Sequence, residues 1–219
     1  MTVSHILGYP RIGAQRELKK VTEAYWKGEV RRDELEAAGQ ALRLAHWQTQ
    51  QAAGLDMVSV GDFAFYDHVL NVSVLLGAVP GRFQAEDEVN AGCIDLDTAF
   101  RMARGRAPSG TPAAACEMTK YFDTNYHYLV PELHRDQTFT LASSRLFDEV
   151  DEALKAGFTP KVTLIGPLTW LWLGKAKGSE FDRLDLLDSV LDVYSEALSR
   201  LATQGVEWVQ LDEPALGQD

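Results

Sequence analysis

The stretch Arg11-Ile12-Gly13-Ala14-Gln15-Arg16-Glu17-Leu18-Lys19-Lys20 places four cations within ten residues of an otherwise acidic chain. A helix is expected to begin just after Gly13. The unpaired backbone amides and the positive dipole end at a helix start already favour an anion, and Arg16 and Lys19, about one turn apart, would add charge at the same spot. Lysine opposes the dipole there, so a bound anion explains the placement better than a solvated face does. The competing reading is surface pairing of Lys20 with Glu17 and Glu23. A second group of chemically capable residues follows the predicted strands: Asp62, Asp67 and His68 after one, Lys120 and Asp123 at another, Asp212 and Glu213 after the last. Paired carboxylates can divide acid and base roles, one held protonated while its neighbour stays ionised. The same acids can instead cap helices and bond loop amides, which is the stronger reading for Asp62 and Asp67 taken singly. Tyr121, Phe122, Tyr126, His127 and Tyr128 surround Asn125 and could stack a flat heterocycle or simply pack. His127 alone reads as a core or loop histidine. His5, His46 and His134 show no metal-ligand spacing, and Cys93 and Cys116, far apart in sequence, form no Cys-x-x-Cys pair. No zinc is expected in this chain, and both cysteines read as small core residues.

Short buried strands alternating with amphipathic helices must position these groups, the pattern of a parallel sheet with crossover helices. The fold class is α/β. Residues 5–8 read as a first strand, and Leu18, Val21 and Tyr25 share a helix face. A helix from about Asp33 turns Leu35, Ala38, Leu42 and Ala45 inward and stops at Gly54. Residues 57–60 form a second strand, followed by a helix with Val69, Val72 and Leu76. The segments 80–92 and 104–112 read as long loops around a short helix at 96–102, long enough to shape a site or an interface. Residues 117–122 and 138–141 are strand candidates. Ser143 or Ser144 can cap a helix holding Leu146, Val150 and Leu154, and residues 162–165 are a buried strand. Leu184, Leu187, Leu191, Tyr194, Leu198 and Leu201 step along the last helix, with a final strand at 208–211. About five or six strands are expected, against the eight strands and about 250 residues of a (β/α)₈ barrel, so the barrel looks cut short.

The chain of 219 residues carries 21 Lys and Arg against 32 Asp and Glu, a formal charge of −11, which argues against general nucleic-acid or anionic-membrane binding. Hydrophobic residues at 46% and charged residues at 24% fit an ordinary globular protein. The strongest apolar stretch, 164–173, is broken by Gly166 and Pro167 and is shorter than the roughly 20 residues of a membrane span. The opening residues lack a basic start and a long apolar run, so no secretory signal is expected and the location read is cytoplasmic.

Several stretches resemble one family. Residues 7–13, Leu-Gly-Tyr-Pro-Arg-Ile-Gly, then 16–20, Arg-Glu-Leu-Lys-Lys, and 60–69, Val-Gly-Asp-Phe-Ala-Phe-Tyr-Asp-His-Val, are similar to the N-terminal part of cobalamin-independent methionine synthase. Residues 117–122, 125–128, 165–169 and 210–214 continue the match in the family's order, so the resemblance spans essentially all of residues 1–219. It implies a methyltransferase of methionine biosynthesis that moves a methyl group from 5-methyltetrahydropteroyltri-L-glutamate to L-homocysteine. The family's two face-to-face (β/α)₈ barrels divide the work. The C-terminal barrel holds zinc and the homocysteine pocket, and the N-terminal barrel helps bind folate. By the resemblance, Arg16, Glu17, Leu18, Lys19 and Lys120 bind the folate polyglutamate, their cations suiting its anionic tail. No catalytic residue, metal ligand or cofactor carries over onto this chain.

The resemblance further implies a partial N-terminal barrel whose partner is the C-terminal barrel, silent in methyl transfer by itself and prone to self-association through open sheet edges. The roles of His127, Asp212 and Glu213 stay open. So do two other readings: a stand-alone barrel enzyme of uroporphyrinogen-decarboxylase-like or carboxylate-pair type using Glu117 with Asp212 or Glu213, and a non-catalytic anion-binding module on Arg16, Lys19 and Lys120.

Overall fold

The computed structural model describes residues 2–84 and 93–218. In chain order the elements are α1 (Glu17–Trp26), α2 (Arg32–Ala52), β1 (Val58–Val60), α3 (His68–Leu75), α4 (Leu96–Arg104), β2 (Met118–Lys120), β3 (His127–Leu129), β4 (Glu132–Leu133), α5 (Arg145–Lys155), β5 (Pro160–Ile165), α6 (Pro167–Leu173), β6 (Lys175–Ala176), α7 (Leu187–Thr203) and β7 (Trp208–Asp212). The alternation makes a mixed α/β protein. Two compact units divide it: Met1–Phe65, Arg145–Leu164 and Ala202–Gln210 form the first, Tyr66–Ser144, Ile165–Leu201 and Leu211–Asp219 the second.

In the first unit β5 lies between β1 and β7, and pairs in parallel with β1, Val58 opposite Pro160 and Val60 opposite Val162. Every residue of β5 is buried, as a strand covered on both faces requires. The helices α2 and α5 pack on β1. The inner stripe of α2 is Leu35, Gly39, Arg43, Trp47 and Gln50, so the expected stripe through Ala38, Leu42 and Ala45 is corrected by one position. Polar side chains enter this core because each finds partners. Arg43 makes a two-pronged contact with Glu152 at 2.8 Å per bond, the Trp47 indole donates to the Ser59 carbonyl at 2.9 Å, and Gln50 accepts from the Ser59 amide at 2.8 Å.

Residues 5–8 do not form the expected strand; the Ile6 and Leu7 carbonyls accept from the Lys161 side chain.

The second unit holds the core built on Val69, Leu76, Leu133, Trp170, Leu171 and Val190. Here β2 and β3 form an antiparallel hairpin, with Lys120 opposite His127, a departure from the parallel pattern expected, while β4 and β6 pair in parallel. Residues 138–141 are not a strand. Their neighbourhood is anchored to the end of α3, Thr140 N donating to the Leu76 carbonyl at 3.2 Å and Ala142 N to that of Leu75 at 2.9 Å.

In α7 Tyr194 and Leu201 are buried as expected, joined by Val190, Val193 and Ala197, whereas Leu191, and Leu184 just before the helix, are exposed. Cys116 is a core residue as expected, but Cys93 is exposed. Of the loop expected at 80–92, residues 85–92 lie outside the described residues. The loop 104–112 is drawn over the buried Arg101, whose guanidinium donates to the Ser109 carbonyl at 3.4 Å and to that of Phe83 at 3.1 Å. Among the described residues no helix is long and apolar enough to cross a membrane.

Candidate functional site

The cationic turn before α1 is shaped by two left-handed residues, Gly13 at φ 82° and Arg16 at φ 61°. The Arg16 amide donates to the Gly13 carbonyl at 3.1 Å and the Leu18 amide to that of Ile12 at 3.2 Å. The Glu17 carboxylate folds back to accept from the Gln15 amide at 2.9 Å. Bonds from its own amide and from that of Gln15 hold the Glu17 carboxyl below its ordinary range. A Cβ at Gly13 would displace that carboxylate, and its φ of 82° is what requires glycine in the turn. Arg16, Glu17 and Lys19 are exposed. Leu18 is 2% exposed and belongs to the core, so only its backbone faces the turn's surface. Lys19 reaches Glu23 at 3.5 Å across one helical turn, both half-exposed, a pair worth a few tenths of a kcal/mol that an incoming polyanion can displace.

Behind this turn, in the same unit, Tyr9 N donates to Asp62 at 2.6 Å and the Tyr9 ring lies 4.7 Å from that of His46. Burial pushes the His46 imidazole down, against the pull of Asp62 and Glu17. Glu149 lies deeper, 3.7 Å from the Arg43 guanidinium. Burial raises its carboxyl to about 7, with Arg43 and Arg145 pulling the other way. Neither Glu149 nor Lys161 follows from hydropathy spacing. The signal for Lys161 is a single charge inside the otherwise uncharged run Pro160–Ile165.

In the second unit the strand-end acids are occupied with backbone amides. Asp67 accepts from Val69 at 2.9 Å and Leu70 at 3.1 Å, capping α3, and from Leu129 at 3.0 Å. Glu213 caps α6 through Leu168 at 3.0 Å and Thr169 at 2.6 Å. Glu117 is 2.5 Å from the Lys175 ammonium. Lys120 is exposed on β2, beside a loop in which Phe122 adopts φ 49°. The aromatic run packs on itself: Tyr121 meets Phe122, Tyr126 and Tyr128 edge to face, and Tyr126 stacks on His68 at 4.8 Å. Burial, followed by Asp212, Asp67 and Glu213, lifts the Tyr121 hydroxyl to about 12. His127 is exposed, its Nδ1 3.2 Å from the Asn125 carbonyl. Among the described residues no group of three or more His, Cys, Asp or Glu side chains is gathered to hold a metal ion.

These features define an α/β protein with parallel strand pairs and an exposed cationic turn at a helix start. The chain belongs to the cobalamin-independent methionine synthase family: residues 3–219 match the family model described as cobalamin-independent synthase, N-terminal domain. It is 60% identical over 214 residues to the 5-methyltetrahydropteroyltriglutamate–homocysteine methyltransferase of Serratia proteamaculans, covering 98% of this chain and 28% of that protein. The enzyme of the same name from Proteus mirabilis is 59% identical over 220 residues, again with 28% of its length covered. The chain thus spans under a third of these curated relatives. A solved B12-independent methionine synthase from Shewanella sp. W3-18-1, in complex with selenomethionine, shares the fold at a TM-score of 0.58 and 19% identity, over 85% of this chain and 45% of that one.

Proposed function

We propose that this chain is the folate-binding N-terminal portion of a methyltransferase that moves a methyl group from 5-methyltetrahydropteroyltri-L-glutamate to L-homocysteine. The observation that carries the reading is the exposed Arg16–Lys19 turn, lying inside the stretch matched by the family and by relatives named for that reaction. In this reading Arg16 and Lys19 at the start of α1, with Glu17 and Leu18 shaping the turn between them, and Lys120 on β2 hold the carboxylates of the glutamate tail. Arginine can grip a carboxylate with two parallel N–H bonds, lysine supplies a mobile point charge, and the helix start adds its dipole. With a net charge of −11 repelling the polyanion at long range, attraction must come from local cations such as Arg16 and Lys19, acting within a Debye length, about 8 Å at physiological salt.

Residues 1–219 are read as part of a (β/α)₈ barrel that works with a second, C-terminal barrel of the same cytoplasmic enzyme. Zinc chemistry is assigned to that second barrel, because the donor set here does not fit the metal. Cys116 has the Arg82 guanidinium against its sulfur, and among the described residues no group of three or more His, Cys, Asp or Glu side chains is gathered around a metal position. By itself the chain is expected to bind folate without turnover.

The test is calorimetric titration of the chain with 5-methyltetrahydropteroyltriglutamate at low and moderate salt, alongside an Arg16→Ala, Lys19→Ala, Lys120→Ala variant. Salt-sensitive binding lost in the variant supports the reading. Equal binding by both proteins, or none by the parent chain, refutes it.

A further inference from the structure

We infer that Lys161 is the positioning residue for the Arg16–Lys19 turn. The inference rests on the anion-binding reading given above, but its structural half can be tested without any ligand. Lys161 stands in the buried strand β5 and is itself 3% exposed. Taking an ammonium out of water is costly unless its donors are met. Its Nζ donates to the Ile6 carbonyl at 2.7 Å, the Gln210 side-chain oxygen at 2.5 Å and the Leu7 carbonyl at 3.2 Å. The two carbonyls are backbone atoms of the segment that leads into the cationic turn.

Side-chain bonds rather than a strand partner hold that segment. Among the described residues it joins no strand ladder, and the Leu7 side chain is 74% exposed, so apolar burial at this residue does not pin it. The Leu7 carbonyl is reached from one side by Lys161 and from the other by the Gln210 amide at 3.1 Å, with the Thr163 hydroxyl at 3.4 Å. Flanking bonds set the rest of the path. Ser4 is tied to Asp56 by its amide and its hydroxyl at 2.7 Å each, and Tyr9 N to Asp62 at 2.6 Å. Between these two ends the ammonium is the central tether, and the chain runs from it to Ile12, whose carbonyl takes the Leu18 amide at 3.2 Å at the start of α1. A strand core alone would be served as well by methionine, which has similar length and no charge to desolvate. The lysine does for the segment what methionine cannot.

The test compares the 219-residue chain with Lys161→Met, Lys161→Arg and Gln210→Met, by hydrogen exchange and by titration with 5-methyltetrahydropteroyltriglutamate and the monoglutamate. In Lys161→Met, amide protection over residues 5–13 is expected to fall at least about tenfold while that of Val162–Ile165 is kept. Triglutamate affinity is expected to fall about tenfold and monoglutamate affinity to change little. Lys161→Arg restores part of both losses, and Gln210→Met gives a smaller loss over the same residues, which keeps the idea testable should Lys161→Met not fold. Unchanged protection over residues 5–13 in both methionine variants overturns the inference. So does equal loss over 5–13 and 162–165, which would make Lys161 a general core residue. Failure of the parent chain to bind triglutamate would refute the functional reading, while the exchange comparison would still decide the tether.

Discussion

Replacing Glu149 with glutamine removes a buried ionisable group while keeping its shape. The Glu149 carboxyl is held at about 7 against an ordinary 4.5, chiefly by burial, with Glu152 and Asp62 adding repulsion and Arg43 and Arg145 opposing them. A carboxyl whose folded value lies above its unfolded one is protonated more readily in the folded state, so unfolding releases a proton between about pH 4.5 and 7. Stability contributed by the neutral form is fully present below pH 4.5 and is lost as pH rises through 7. At 1.36 kcal/mol per unit the gap amounts to about 3 kcal/mol, a large share of an ordinary domain's 5–15. The assay is urea unfolding of both proteins from pH 4.5 to 8, followed by tryptophan fluorescence, since Trp47 lies in the same unit and is bonded to Ser59. With a slope of roughly 2–3 kcal/mol per molar urea, the variant should be more stable at pH 8 by about 1 M in midpoint and nearly equal to the parent at pH 4.5. Arg43 keeps its two-pronged bond to Glu152 in the variant, so the substitution does not strand that charge. Parallel pH profiles for the two proteins would refute the argument.

The loop over Arg101 depends on Gly110, which has φ 80° and leaves no room for a Cβ against the guanidinium. Gly110→Ala is expected to cost at least about 1–3 kcal/mol, read as a lower thermal midpoint, and an unchanged midpoint would show that the loop is not held as described. The two cysteines should differ in reactivity. Cys93 is exposed, whereas Cys116 is buried with its thiol at about 12, so at pH 8 only about one in ten thousand of the latter is thiolate. A disulfide reagent should label one thiol quickly and the second only on unfolding, and rapid labelling of both would contradict this.

What could be read from the residues alone divides along physical lines. Helices with an apolar period and the buried strand at 162–165, which forms the end of Pro160–Ile165, were legible because burial of apolar surface is what makes the pattern. The stripe on α2 was misplaced because its inner face carries Arg43 and Gln50, and a polar residue is buried only when a distant partner exists, here Glu152, 109 residues on, and the Ser59 amide. The same cause misled the reading of residues 5–8 as a strand. Their apolar character was visible, but the ammonium that takes their carbonyls lies 154 and 155 residues away.

At the candidate site the cations and the helix start were legible, and so was the capping role of Asp67, since an acid just before a helix has a local partner. The bonds that hold the segment leading into the turn were not. Exposed cations sit in short local patterns, whereas a buried charge such as Lys161 pairs across long stretches of chain and carries the wrong hydropathy for its place. A charged residue inside a buried strand is therefore a pointer to whatever backbone it holds, and Lys161 points to the turn that carries Arg16 and Lys19.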